Sequence, residues 1–193
     1  VLQDPAHTHC RRWILRPDRI RKDPFGDLTV RANMHPGYQN LDFIGPAGPV
    51  DAGLTVLAFE SAGGQPLALL ANYSMHYVGV PGGVVSPDYY GPFVENIQRL
   101  TGVEVAMMTQ GTSGDQHWMD YRQPQKKMDA GTYADELART VQEASSTIRY
   151  REWVPLAMAE TTLRLKRRLP DAQRLAWARE MLARMGGALP RNQ

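Results

Sequence analysis

One cysteine in 193 residues, Cys10, leaves no partner for a disulfide within the chain and no material for a zinc ribbon built on cysteine pairs. No apolar run approaches the roughly 18–20 residues that a membrane-spanning helix requires, so an integral membrane protein is not expected. The opening VLQDPAHTHC contains no basic-then-apolar leader pattern. It also lacks an initiator Met, which points to further chain upstream. Internal repeats and low-complexity linkers are absent. What is present is ordinary for a globular chain: 42% hydrophobic and 22% charged residues. That balance argues against disorder and against a coiled coil. A chain of this length buries roughly 70% of its unfolded surface if it closes on itself.

An excess of one charge is missing from the whole but not from its parts. Residues 1–148 carry 12 Lys/Arg against 16 Asp/Glu, and residues 149–193 carry 10 against 4. A basic tail can meet phosphates or nucleic acid. Here Arg164, Lys166, Arg167 and Arg168 have no interleaved aromatic series. They read as a solvated face or a docking surface for further chain, and no nucleic-acid partner is expected.

The pattern of elements predicts an α/β fold, a mixed sheet flanked by helices. Residues 1–25, broken by Pro5, Pro17 and Pro24, read as an irregular lead-in. Residues 26–168 read as the sheet and helix core, and 169–193 as a terminal basic helix, all within one partial domain. Leu28 to Arg31 is a short strand. Leu54 to Glu60 and Pro66 to Tyr73, joined by Ser61-Ala62-Gly63-Gly64, form a β-hairpin. The second of these, PLALLANY, is apolar on both faces, as in a strand covered on both sides. Ser86-Pro87-Asp88 starts a helix with Tyr90, Phe93, Val94 and Ile97 on its apolar face, and Gly102 ends it. Val103 to Thr109 is a strand running into GTSGD. Asp129 to Ile148 is a helix, Leu156 to Leu165 a further strand, and Pro170 to Met185 a last helix that buries Leu175, Ala178 and Leu182.

Three places combine residue types that do chemistry. His76 follows the buried strand directly, at the mouth of an α/β sheet where ligands bind. A neutral imidazole there suits zinc, and a hydrogen-bonded structural histidine is the plainer alternative. The turn Gln110-Gly111-Thr112-Ser113-Gly114-Asp115-Gln116-His117 brings a hydroxyl, a carboxylate and an imidazole close in sequence. Its glycines offer backbone N–H groups to an oxyanion and close approach to a substrate. It is not a G-x-S-x-G elbow, and a local Ser-His-Asp triad is not expected from such near neighbours. Arg31 at a strand end can clamp an anion through its planar fork or form a structural ion pair. Tyr77 is a candidate for a pocket wall, as are Trp118, Met119, Asp120 and Tyr121, for which a surface-covering loop is the alternative. His7 and His9 form an H-x-H pair in a proline-bounded terminal segment, and His35 beside Pro36 reads as a turn residue.

Taken in order, CRRW at 10–13, VRANMHPGYQN at 30–40, GPVD at 48–51, LLANYSMHYVG at 69–79, SPDYYG at 86–91, MTQGTSGDQHWMDY at 108–121 and KRRLPDAQRLAWAR at 166–179 resemble the neutral/alkaline non-lysosomal ceramidase family, particularly its shorter bacterial members. The resemblance spans nearly the whole chain. It implies a zinc-dependent amidase that cleaves the N-acyl bond of a ceramide-like lipid. His76 matches a zinc-binding histidine, Arg31 an arginine near the catalytic pocket, and the TSGDQH turn the segment presenting the nucleophilic serine. His117 stands where that serine would be, so a zinc-bound water is the natural substitute, with Asp115 or His117 handling protons. Further zinc ligands are not in this chain, so the expectation is an internal piece of a longer hydrolase, with the remainder of the parent chain as its partner. The family is often exported. The competing readings are a metal-free hydrolase using Ser113 and a non-catalytic ligand-binding relative.

Overall fold

The computed structural model describes residues 1–188. Its centre is a four-stranded sheet in the order β1 (Leu2–Gln3), β8 (Gly53–Glu60), β9 (Pro66–Tyr73) and β10 (Val105–Gln110). β8 and β9 are the expected hairpin, antiparallel with Leu57 opposite Leu70, and Gly64 supplies the left-handed residue of its turn at φ 82°. Helix α1 (Tyr90–Thr101) then crosses over so that β10 pairs parallel with β9, Gln110 opposite Tyr73. The mixed α/β character read from the sequence is therefore the observed fold.

Both covering helices form for local reasons. Phe93 and Ile97 of α1 share one face and are fully buried, and Gly102 ends the helix at φ 73° with its N–H bonded to Gln98 O. Helix α2 (Ala130–Ser145) is capped by Asp129, whose side chain accepts from Thr132 N at 2.8 Å, an interaction typically worth ~1 kcal/mol. Its Tyr133, Leu137 and Val141 meet Leu69, Ala71 and Tyr73 of β9 in the core. Burying each such side chain contributes roughly 1.5–3 kcal/mol.

Several expectations are corrected. PLALLANY is covered on one face only: Leu69, Ala71 and Tyr73 are buried. On the other face Leu57, Phe59, Val105 and Met107 are each about half exposed, because both helices pack on the same side. Helix α1 begins at Tyr90 rather than at Ser86-Pro87-Asp88. The Leu156 to Leu165 strand does not form; this stretch has no regular secondary structure and is exposed, and it joins none of the sheets among the described residues. Helix α3 (Ala172–Met185) forms with Asp171 as its cap, but none of its residues is buried, and Leu182 is 68% exposed. It touches the body through Trp177, whose ring lies 5.4 Å from that of Phe25. Residues 189–193 of the expected terminal segment lie outside the described residues. No helix among the described residues is long and apolar enough to cross a membrane.

The lead-in is not irregular either. β2 (His9–Cys10) pairs antiparallel with β11 (Gln116–His117). β3 (Arg12–Leu15) lies between β6 (Ala32–Met34) and β7 (Phe43–Pro46) in a separate three-stranded sheet. Two further short strands, β4 (Arg21–Lys22) and β5 (Leu28–Val30), pair with each other. Strands of two to four residues leave no periodicity to read. Their ladders are made with remote partners, so the local sequence holds only half of the signal.

Candidate functional site

Parallel pairing of β9 and β10 sets the geometry of the site. With Gln110 opposite Tyr73, both strands end at the same edge, and the segments 74–76 and 111–117 leave it side by side. Ser74 locks them together. It is 1% exposed, its Oγ donates to Asp51 Oδ2 at 2.7 Å and accepts from Thr112 N at 3.0 Å, and its carbonyl accepts from Thr8 Oγ1. Gly111 N donates to Tyr73 O at 2.9 Å, and Gln110 Nε2 donates to Met75 O. Gln116, also buried, ties the far side of the turn by donating to Thr112 O and accepting from Asp51 N.

The N-terminal strap adds the third segment. Arg11 N donates to Asp115 O, and Arg11 O accepts from His35 N, so residue 11 stitches the glycine turn to the MHPG loop. The outcome is a cluster of imidazoles. The His117 ring centroid lies 6.2 Å from that of His76, with planes 25° apart, and 5.7 Å from that of His35. His35 is bonded through Nδ1 to the Tyr121 hydroxyl. Nδ1 of His76 and Nδ1 of His117 are buried with no hydrogen-bond partner.

The neutral form is favoured for all three histidines, whose pKa values are lowered from the ordinary value. Burial is the main cause for each. For His117, which is 5% exposed, the neighbouring His35, Arg11 and His76 add to it, and its pKa is pushed down to about 3. His76 is lowered by burial, then by Arg11 and His35. His35 is lowered by burial and by Arg11. The Tyr121 phenol is pushed up to about 12, again mainly by burial, and stays protonated near neutrality.

The expected site residues divide into those brought together and those left apart. His76 and His117 meet. Tyr77 lies against His76, with ring centroids 4.1 Å apart, and Trp118 lies 5.6 Å from His117. Gly111 packs on Ser74, but its N–H and that of Thr112 are already engaged, so these two amides are not free for an oxyanion. Gly114 serves instead through its carbonyl, which accepts from Arg11 Nε and one terminal nitrogen at 3.3 and 2.8 Å. Ser113 has no side-chain hydrogen bond to a base, and Asp115 is exposed with no side-chain partner, among the described residues. Arg31 is exposed and forms no ion pair among the described residues. The cation facing the histidines is Arg11.

Arg11 is the residue that sequence reasoning missed, and His35, read there as a turn residue, is the one it undervalued. His35 sits at φ 52°, a conformation uncommon for a side chain with a Cβ, which only the structure shows. His7 and His9 lie apart from the cluster. His7 Nδ1 is bonded to Asp4 at 2.7 Å, which raises its pKa, whereas burial lowers that of His9. Both line a cavity of about 520 Å³ with Trp118 and Tyr133, and a second cavity of about 720 Å³ lies against Tyr121. These cavities flank the imidazole cluster; neither includes the three rings in its walls.

Asp88 shapes the approach to His76. Its carboxylate accepts from Val78 N at 2.7 Å, Gly79 N at 2.9 Å and Tyr89 N at 2.8 Å, which clamps the chain just after the histidine. The residue pays for this with a φ of 51°. Asp88→Ala strands these donors and is expected to lower stability by about 1–3 kcal/mol. Denaturant unfolding measures it, and a change below about 0.5 kcal/mol means that the clamp is dispensable.

A single imidazole nitrogen is a donor that suits a borderline ion such as zinc, and Nδ1 of His76 and of His117 is buried with no hydrogen-bond partner. The shell is not closed. Among the described residues no group of three or more His, Cys, Asp or Glu is gathered tightly enough to hold a metal. Comparison with known protein families, curated proteins and solved structures finds no match for this chain.

Proposed function

We propose that this chain carries the catalytic edge of a zinc-dependent hydrolase resembling the neutral/alkaline ceramidase family, acting on the N-acyl amide of a ceramide-like lipid. The observation that carries the reading is the meeting of His76 with His117, which in turn lies against His35, where two parallel strands end. His76 would hold the ion, which when bound supplies polarisation of the amide carbonyl and acidification of a water. His117, neutral at pH 7, stands in the position where the family has its serine and would orient a water there by hydrogen bonding rather than take its proton. The Arg11 guanidinium, fixed on Gly114 O, offers positive charge to a developing oxyanion, the role expected of Arg31. Tyr77 and Trp118 supply apolar walls. The bare apolar face of β8, β9 and β10 is consistent with further parent chain packing there.

The test is hydrolysis of a fluorescent N-acyl sphingosine by the purified chain, with and without chelator. Chelator-sensitive release of fatty acid, cut about a hundredfold or more in His76→Ala, is the expected result. Labelling by a serine-reactive phosphonate that survives chelation and disappears in Ser113→Ala would instead establish the metal-free serine hydrolase. A folded chain that binds the lipid but turns over no amide or ester would establish a non-catalytic relative.

A further inference from the structure

We propose that the loop at 77–87 is an interfacial insertion loop: its apolar tip enters the surface of a lipid bilayer beside His76, where a lipid substrate would be taken up. The proposal rests on the lipid hydrolase reading for its purpose, but its main readout is independent of hydrolysis.

The loop leaves the end of β9 directly after His76 and runs to the start of α1. Its sequence, YVGVPGGVVSP, holds no charged residue, and residues 79–87 are exposed without interruption. Val84 is 61% exposed and Val85 fully so. Residues 79–86 make no backbone–backbone hydrogen bond among the described residues. The neck, by contrast, is fixed. Val78 packs against the core, and Asp88 accepts from Val78 N and Gly79 N on one side and from Tyr89 N on the other. Pro87 lies so close to Gly91 of α1 that an added Cβ there would come within 2.6 Å of its ring. Gly79 at φ 104° and Gly83 at φ 84° take conformations that glycine adopts without steric cost. The tip can thus adapt to a surface while the chain at His76 stays in place.

The side chains of the tip select its occupant. Hot spots of protein–protein contacts are enriched in Trp, Tyr and Arg, and valine is under-represented there. Residues 78–87 contain none of the first three, and they contain Val78, Val80, Val84 and Val85. Valines that reach the boundary of headgroups and acyl chains leave water without dehydrating any charge, and their stiff χ1 leaves little side-chain entropy to lose. The N–H and C=O groups of an irregular loop must keep water, so entry is shallow, within the interfacial region. Charge elsewhere in the chain favours the same encounter. Residues 149–193 carry 10 Lys/Arg against 4 Asp/Glu, and Arg164, Lys166, Arg167 and Arg168 are exposed cations that an anionic leaflet attracts.

Cys10 is the one cysteine and is buried, so Val85→Cys can carry an environment-sensitive fluorophore at the tip alone. The labelled chain is mixed with vesicles of phosphatidylcholine and phosphatidylserine. A blue shift, a severalfold rise in emission and quenching by brominated acyl chains are the expected results. In the unlabelled chain, Val84→Asp combined with Val85→Asp is expected to weaken co-sedimentation with these vesicles about tenfold or more. Its hydrolysis of a water-soluble short-chain N-acyl amide should stay within about twofold of wild type. Both positions are exposed, so the fold is retained, which far-UV circular dichroism verifies. Vesicle binding with the tip label still in water, or undiminished co-sedimentation of the double variant, overturns the proposal. So does a blue shift on raising the chain concentration without vesicles, which assigns the tip to a second copy. Insertion without hydrolysis of any amide supports the loop and removes the hydrolase reading. Hydrolysis of the soluble amide with no insertion overturns the loop and leaves that reading standing.

Discussion

Gly111→Ala is expected to destabilise the chain by about 3 kcal/mol, far more than one added methyl group usually does. A Cβ at this position would lie 2.3 Å from Ser74 Oγ and 3.3 Å from Ser74 Cα. Neither atom can move freely. The hydroxyl is committed to Asp51 at 2.7 Å and to Thr112 N, and the Ser74 backbone is buried at the end of β9. Overpacking of this kind costs about 1–3 kcal/mol, and disturbing a hydrogen bond to a carboxylate adds about 1.5–3 kcal/mol when it is lost outright. For a chain of this size a loss of 3 kcal/mol corresponds to a fall in Tm of roughly 6–12 °C. Gly114→Ala is the control, since a Cβ there meets nothing within 4 Å. Equal stability of the two variants would show that the 111–117 turn is not locked onto Ser74.

Acid sensitivity of the metal-free chain is the second large effect. His117 has a folded pKa near 3 against an ordinary value of 6.5, so between these limits the unfolded chain binds the extra proton. Stability contributed by the neutral ring is therefore complete above pH 6.5 and is lost progressively as pH falls toward 3. The full shift corresponds to a loss on the order of 4–5 kcal/mol. His76, His35 and His9 are also lowered and act in the same direction. His7 is raised by Asp4 and acts oppositely: its contribution is complete below pH 6.5 and fades as pH rises through its folded value. Urea unfolding from pH 7 to pH 4 in the presence of chelator measures the balance. His117→Gln should flatten the acid limb, and an unchanged slope in that variant would refute the burial of a neutral ring at position 117.

The hairpin, α1, α2 and the strand after α1 were legible because each has an internal signal. Ser61-Ala62-Gly63-Gly64 turns the chain between two apolar runs, Phe93 and Ile97 share a helical face, and Asp129 and Gly102 mark helix ends. His76 was legible for a related reason, since it follows a buried strand without an intervening turn. The strap at 9–15 was not, because β2 and β3 owe their existence to partners at 116–117, 32–34 and 43–46. Arg11 was passed over for Arg31 on the same account. Which arginine faces the histidines depends on Arg11 being bonded between Asp115 and His35. The segment from Leu156 to Leu165 shows the converse: strand-like content without a neighbour forms no strand.

Local chemistry alone determined the class of fold, the positions of the hairpin and the two covering helices, and His76 as the residue to watch. These depend on turn residues, caps and apolar spacing, which act over a few positions. Only the tertiary structure decided that His117 lies against both His35 and His76, that Arg11 rather than Arg31 faces them, and that one face of the sheet lies bare among the described residues. Those outcomes depend on which strand edges find each other across 18 to 108 residues of chain, and no short window of sequence contains both halves of such a pair.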